Sequence, residues 1–178
     1  VYVDLQHGLR FLFDEQSQQG LVIESDVKIE NNTTISGFCA TQNWVSRKYY
    51  FTITFDQPFI NLNHLDPKPK DKAPKYLLDF TLANNKILKV KIALSSVAVD
   101  GAKLNMQTEI PHWDFEKVYQ SNLASWETYL DKIDIEAPLK QMEIFYTSLY
   151  HLFLQPSNIA DVDGKYRGVD DKIAIAPN

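Results

Sequence analysis

The chain has 178 residues, 44% of them hydrophobic and 23% charged, with 18 Lys and Arg against 23 Asp and Glu for a formal net charge of -5. That length admits one sizeable core, or one core and part of another, and excludes two full enzyme domains, while the composition excludes a disordered, collagenous or coiled-coil chain. No Lys/Arg stripe exists to neutralise a phosphate backbone, so nucleic acid is not an expected partner. The single Cys39 rules out an intrachain disulfide and a Cys-rich metal site, and no apolar run reaches the ~18 residues of a membrane span.

Taken in chain order, the first hundred residues read as strands, because β-branched and aromatic residues alternate with polar ones in short runs broken by Gly, Asn and Pro. The runs are Val1 to Leu5, Gly20 to Ile29, Tyr49 to Phe55, Tyr76 to Ala83 and Lys86 to Ser95. In the third run, Tyr49, Phe51, Ile53 and Phe55 share one face and Tyr50, Thr52 and Thr54 the other. Pro58 ends it. Asn84-Asn85 suits a tight turn, so the last two runs are expected to pair as a hairpin. Asp66 to Pro74, rich in Pro and Lys, cannot pair in a sheet and reads as a solvated loop.

The period changes after Pro111. Tyr119, Leu123, Trp126, Leu130 and Ile133 recur at steps of four, three, four and three, which predicts a helix near 114–134 with Asp114 as its N-cap. A second helix is predicted near 138–155, opened by Pro138 and closed by Pro156. Its wide aromatic stripe calls for cover on more than one side. Strands followed by helices give a β-then-α fold class: an antiparallel β-sandwich portion over 1–111, a linker helix over 112–137, and the start of an α-helical domain over 138–178 that reads as cut short. The opening Val1-Tyr2-Val3-Asp4 carries neither Met nor a signal peptide, so a mature form or an excised piece is expected.

Polar residues concentrate between Ser157 and Asp171. Asp161-Val162-Asp163-Gly164 begins like a calcium loop, but an EF-hand reading puts Lys165, Tyr166 and Lys172 where an oxygen ligand, a glycine and a bidentate acid belong. A plain polar turn and a functional loop both remain open. His7, His64, His112 and His151 lack zinc spacing, and neither a Gly-x-Ser-x-Gly elbow nor a phosphate loop occurs. Trp44, Trp113 and Trp126 serve either a core or a sugar-stacking platform.

The chain resembles the glycoside hydrolase family 92 exo-acting α-mannosidases, of α-1,2-mannosidase type. The resemblance rests on four blocks: Val3 to His7; Ile35 to Phe38 with Trp44 and Tyr50 to Phe59; Val90 to Val97 with Gly101, Ala102, Asn105, Trp113 to Phe115 and Trp126; and Phe145 to His151 with Gln155-Pro156 and Asp161 to Gly168. It implies a sandwich, linker helices and the first helix of an (α/α)6 barrel. It also implies a calcium-dependent, inverting hydrolase of terminal α-mannosides, active outside the cytoplasm in the periplasm or extracellular space. Its partners would be α-mannoside glycans and the rest of the barrel. Calcium ligands and the catalytic acid and base are expected outside this segment, which alone should be inactive. On this resemblance Asp161, Asp163, Tyr166 and Arg167 shape or support the mannose pocket. The alternative is a non-catalytic carbohydrate-binding or scaffolding sandwich.

Overall fold

The computed structural model describes residues 1–5, 21–42, 46–65, 73–82 and 86–176. His7, Trp44, the Asn84-Asn85 turn and all but the end of the Pro/Lys loop lie outside the described residues. Two antiparallel sheets make up the first part. One has the order β1 (Tyr2–Asp4), β6 (Lys75–Phe80), β5 (Phe59–Leu65); the other has β2 (Leu21–Asn31), β3 (Thr34–Gln42), β4 (Ser46–Phe55), β7 (Val90–Ser95). Val3 and Leu78 from the first sheet meet Ile35 and Phe55 from the second in the buried core, with Val27, Ile53, Phe59 and Phe80 packed around them. The alternation in β4 does what its period dictates: Phe51 and Phe55 face the opposite sheet, while Thr52 and Thr54 face away.

Two expectations are corrected. The runs 76–83 and 86–95 do not form a hairpin: β6 is flanked by β1 and β5, and β7 pairs with β4 in the other sheet, Ile53 opposite Ile92. Both edges of β6 are occupied, and Leu78 is buried with Phe55 while the partly buried Phe80 packs on the Phe55 ring, so the chain crosses between sheets. A local turn signal cannot report that competition. The second correction is a helix, α1 (Val99–Glu109), inside the region assigned wholly to strands. It buries only Ala102, Asn105 and Met106, so it shows no apolar stripe in the sequence. It lies on the outer face of the four-stranded sheet, over β7 and β4, where the buried side chains Ser36, Thr52 and Ser95 are small and polar. Strands β3 and β5 were also absent from the sequence-based runs.

The two later helices appear as expected: α2 (Phe115–Leu130) and α3 (Leu139–Phe153). Asp114 caps α2, its Oδ1 accepting from the Lys117 N–H at 3.1 Å. Helix pairing rests on Trp126 against Tyr150, with ring centroids 4.5 Å apart, and Tyr129 against Phe153 at 5.6 Å. After α3 come β8 (Lys165–Arg167) and β9 (Ile173–Ile175), a short antiparallel hairpin. The chain forms two compact units: Val1–Pro111 together with Ala160–Asn178, and His112–Ile159. The region 138–178 is thus divided, its helix in the second unit and its hairpin in the first.

Candidate functional site

The polar segment after α3 folds as a tight turn into β8. The Gly164 N–H donates to the Asp161 carbonyl at 2.8 Å, and the Asp161 N–H to the Lys165 carbonyl at 2.8 Å. Gly164 sits at φ 81, a left-handed conformation that favours a residue without Cβ. The Asp163 carboxylate accepts from the Lys165 N–H at 3.1 Å and from its ammonium at 2.7 Å; the ammonium holds Asp163 below its ordinary pKa and Asp163 raises that of Lys165.

Asp161 is buried, at 6% exposure, and its carboxylate lies at the N-terminal end of α1. The Ser95 hydroxyl donates to Oδ2 at 2.6 Å and itself accepts from the N–H groups of Val97 at 2.9 Å and Ala98 at 3.3 Å. The Asn105 amide donates to Oδ1 at 3.0 Å and to the Leu94 carbonyl at 2.9 Å, and its oxygen accepts from the Val162 N–H at 2.9 Å. A buried carboxylate bonded to two neutral donors is tolerated here because the positive end of the α1 dipole, relayed by Ser95, faces it. Gly101 is required beside it: a Cβ there would overlap the Asp161 Oδ2 and come within 2.6 Å of the Ser95 Oγ.

Arg167 is tied to the same strand-to-helix junction. Its Nε donates to the Ser96 carbonyl at 2.8 Å, Nη2 to the Val97 carbonyl at 3.2 Å, and Nη1 to the Asp171 carboxylate at 3.0 Å and the Asp171 carbonyl at 3.1 Å. Its own N–H bonds the Ser96 hydroxyl at 3.1 Å. The structure therefore places Asp161 and Asp163 on one turn and Tyr166 and Arg167 on the strand β8 that follows it, with Asp161 turned inward, Tyr166 half-buried and Arg167 paired to Asp171 rather than to either acid of the turn. Ser95, Ser96, Gly101 and Asn105 complete the arrangement. Sequence reasoning did not single them out as site residues; a serine pair closing a strand ahead of a helix start was the available signal.

A second feature of the same unit is a cavity of about 370 Å³ under α1, lined by Glu30, Thr34, Thr54, Lys91, Lys103 and Gln107 among others. Glu30 accepts from Ser36 at 2.6 Å and pairs with Lys103 at 3.2 Å and Lys28 at 3.6 Å; the Ser36 hydrogen bond first, then Lys103, lower its pKa. In the helical unit, Ser125, Trp126, Tyr129, Phe153, Gln155 and Pro156 line a cleft of about 380 Å³. Among the described residues no group of three or more His, Cys, Asp or Glu side chains could hold a metal ion. Both Asp161 oxygens and both Asp163 oxygens are engaged by protein donors, so this turn does not fit calcium.

Residues 101–177 match the profile of the Glycosyl hydrolase family 92 catalytic domain. The structure superposes on the family GH92 alpha-mannosidase BT3965 from Bacteroides thetaiotaomicron with a TM-score of 0.81 and 30% identity, covering 88% of this chain and 23% of that one. The same enzyme in complex with mannoimidazole gives a TM-score of 0.80 at 30% identity, over 88% and 23%. The chain belongs to glycosyl hydrolase family 92. The family GH92 inverting mannosidase BT2199 from the same organism, at 20% identity over 87% of this chain and 24% of that one, shares the fold with a TM-score of 0.76. The chain thus spans about a quarter of these structures' length. A comparison with curated protein sequences gives no match. In family terms the antiparallel sheets are the N-terminal β-sandwich and the helices begin the helical domain.

Proposed function

We propose that the protein containing this chain hydrolyses terminal α-linked mannose, of α-1,2 type, with inversion and with calcium as cofactor. The observation that carries the reading is the 30% identity and TM-score of 0.81 to a GH92 alpha-mannosidase over 88% of the chain. Inversion needs a general acid and a general base roughly 6.5 to 9.5 Å apart with water between them. Both carboxylates, and the calcium ligands, come from parts of the enzyme outside the described residues, in the rest of the (α/α)6 barrel that starts at α3. Within this chain Asp161, Asp163, Tyr166 and Arg167 support the mannose pocket by fixing the turn, and the enzyme works in the periplasm or outside the cell.

An aryl α-mannoside assay tests the reading. The full-length protein turns the substrate over and loses activity in EDTA, the product first appears as the β-anomer, and the 178-residue chain alone is inactive. Arg167→Ala in the full-length protein lowers kcat/KM by about tenfold or more, ~1.4 kcal/mol at the transition state. Turnover by the isolated chain, or wild-type kinetics in a folded Arg167→Ala variant, counts against the reading and the placement of the turn respectively.

A further inference from the structure

We infer that Ser95, Gly101 and Asn105 are positioning residues: through the buried Asp161 they pin the 161–168 turn to the N-terminal end of α1, and the placement of that turn governs mannoside turnover. The second half rests on the proposed activity. The first stands on geometry alone. Asp161 is the buried acidic residue among the described residues, and both its oxygens are used by side chains that lie far from it in sequence, Ser95 on β7 and Asn105 on α1. Asn105 reads the segment twice, donating to the Asp161 carboxylate and accepting from the Val162 N–H, so a one-residue slip of the turn would break both bonds at once. Gly101 leaves room for the carboxylate one helical turn before Asn105. Arg167 then closes the other end of the turn on the Ser96 and Val97 carbonyls. The turn is therefore held at two points, of which the Asp161 point is the buried one.

The arrangement predicts an exchange experiment. In Asn105→Asp two carboxylates face each other and can remain close only by sharing a proton. The turn is then held in mild acid and released as the pH rises, and the wild-type turn at the same pH values is the reference. Adding Asp161→Asn to Asn105→Asp swaps the two groups. The new amide donates to the new carboxylate, and the Ser95 hydroxyl and the Val162 N–H keep acceptors, while the Leu94 carbonyl loses its donor and faces a carboxylate oxygen, a cost that the swap leaves in place.

The measurements, on the full-length protein, are hydrogen exchange of the 161–176 amides and aryl α-mannoside kinetics at about pH 5 and about pH 8. Expected in Asn105→Asp are lost amide protection and a kcat/KM lowered by about tenfold relative to wild type at the higher pH, both largely recovered at the lower pH and in the swapped double variant. A double variant that restores neither readout overturns the pin. Protection lost and regained while kcat/KM stays at the wild-type value overturns the link to turnover. Should the wild-type protein prove inactive on α-mannosides, the activity reading fails, and amide exchange still decides whether the pin exists.

Discussion

The sandwich unit and the helical unit bury their residues in different ways. The sandwich closes its own core, with Phe55, Ile35 and Leu78 at 1% exposure or less, and adds a second, polar interface under α1. The helical unit buries Leu149 alone among its described residues, and leaves Phe115 at 74%, Leu139 at 73% and Leu152 at 68% exposure. Two sheets can cover one another face to face, whereas two helices with wide apolar stripes cannot. The lesson is that apolar pattern and burial part company here: the two helices with apolar stripes bury Leu149 alone between them, whereas α1, the least apolar of the three, buries Ala102, Asn105 and Met106.

The largest effect should follow a cut into the sandwich core. Phe55→Ala removes the ring that packs on Phe59 and Phe80 and should cost about 3–5 kcal/mol in chemical denaturation. A loss below about 1 kcal/mol would mean that the two sheets do not share that core. Next comes the polar interface: Asp161→Ala leaves the Ser95 hydroxyl and the Asn105 amide without their acceptor and should cost roughly 2–3 kcal/mol. Gly101→Ala should destabilise through overlap with the same carboxylate.

A smaller, pH-dependent effect belongs to Glu30. Its folded pKa is depressed by Ser36 and Lys103, so its contribution is present above the ordinary carboxylate range and is lost as the pH falls through the folded pKa. Glu30→Gln should therefore lower stability at neutral pH and flatten the acid limb of the stability profile; an unchanged limb would place the acid sensitivity elsewhere. The smallest effect is expected at Leu152. In the 178-residue chain Leu152→Gln should change stability by no more than about 0.5 kcal/mol. In the full-length protein the same substitution should cost about 1–2 kcal/mol if the rest of the barrel covers α3, and an equal effect in both would remove that cover.

Much of this protein could be read directly from residue order. Period-two alternation in Tyr49 to Phe55, the Asp114 cap and the stripe from Tyr119 to Leu130 determine their elements locally, because each signal lies within a few residues of what it specifies. The likeness to the mannosidase family was carried by short blocks that keep their order, including the turn from Asp161 to Gly168. What the sequence alone left open was every choice between distant partners: β6 with β1 and β5 rather than β7, and α1 as a helix whose buried face is Asn105, Ala102 and Met106. The turn is the clearest case. Asp161, Asp163 and Arg167 look alike in the sequence as charged residues of one loop, yet tertiary structure sends Asp161 inward to Ser95 and Asn105, keeps Asp163 on Lys165 and fastens Arg167 to the distant Ser96 and Val97 carbonyls. Which of them is buried depends on groups 56 to 71 residues away, and no local period encodes a hydrogen bond across that distance.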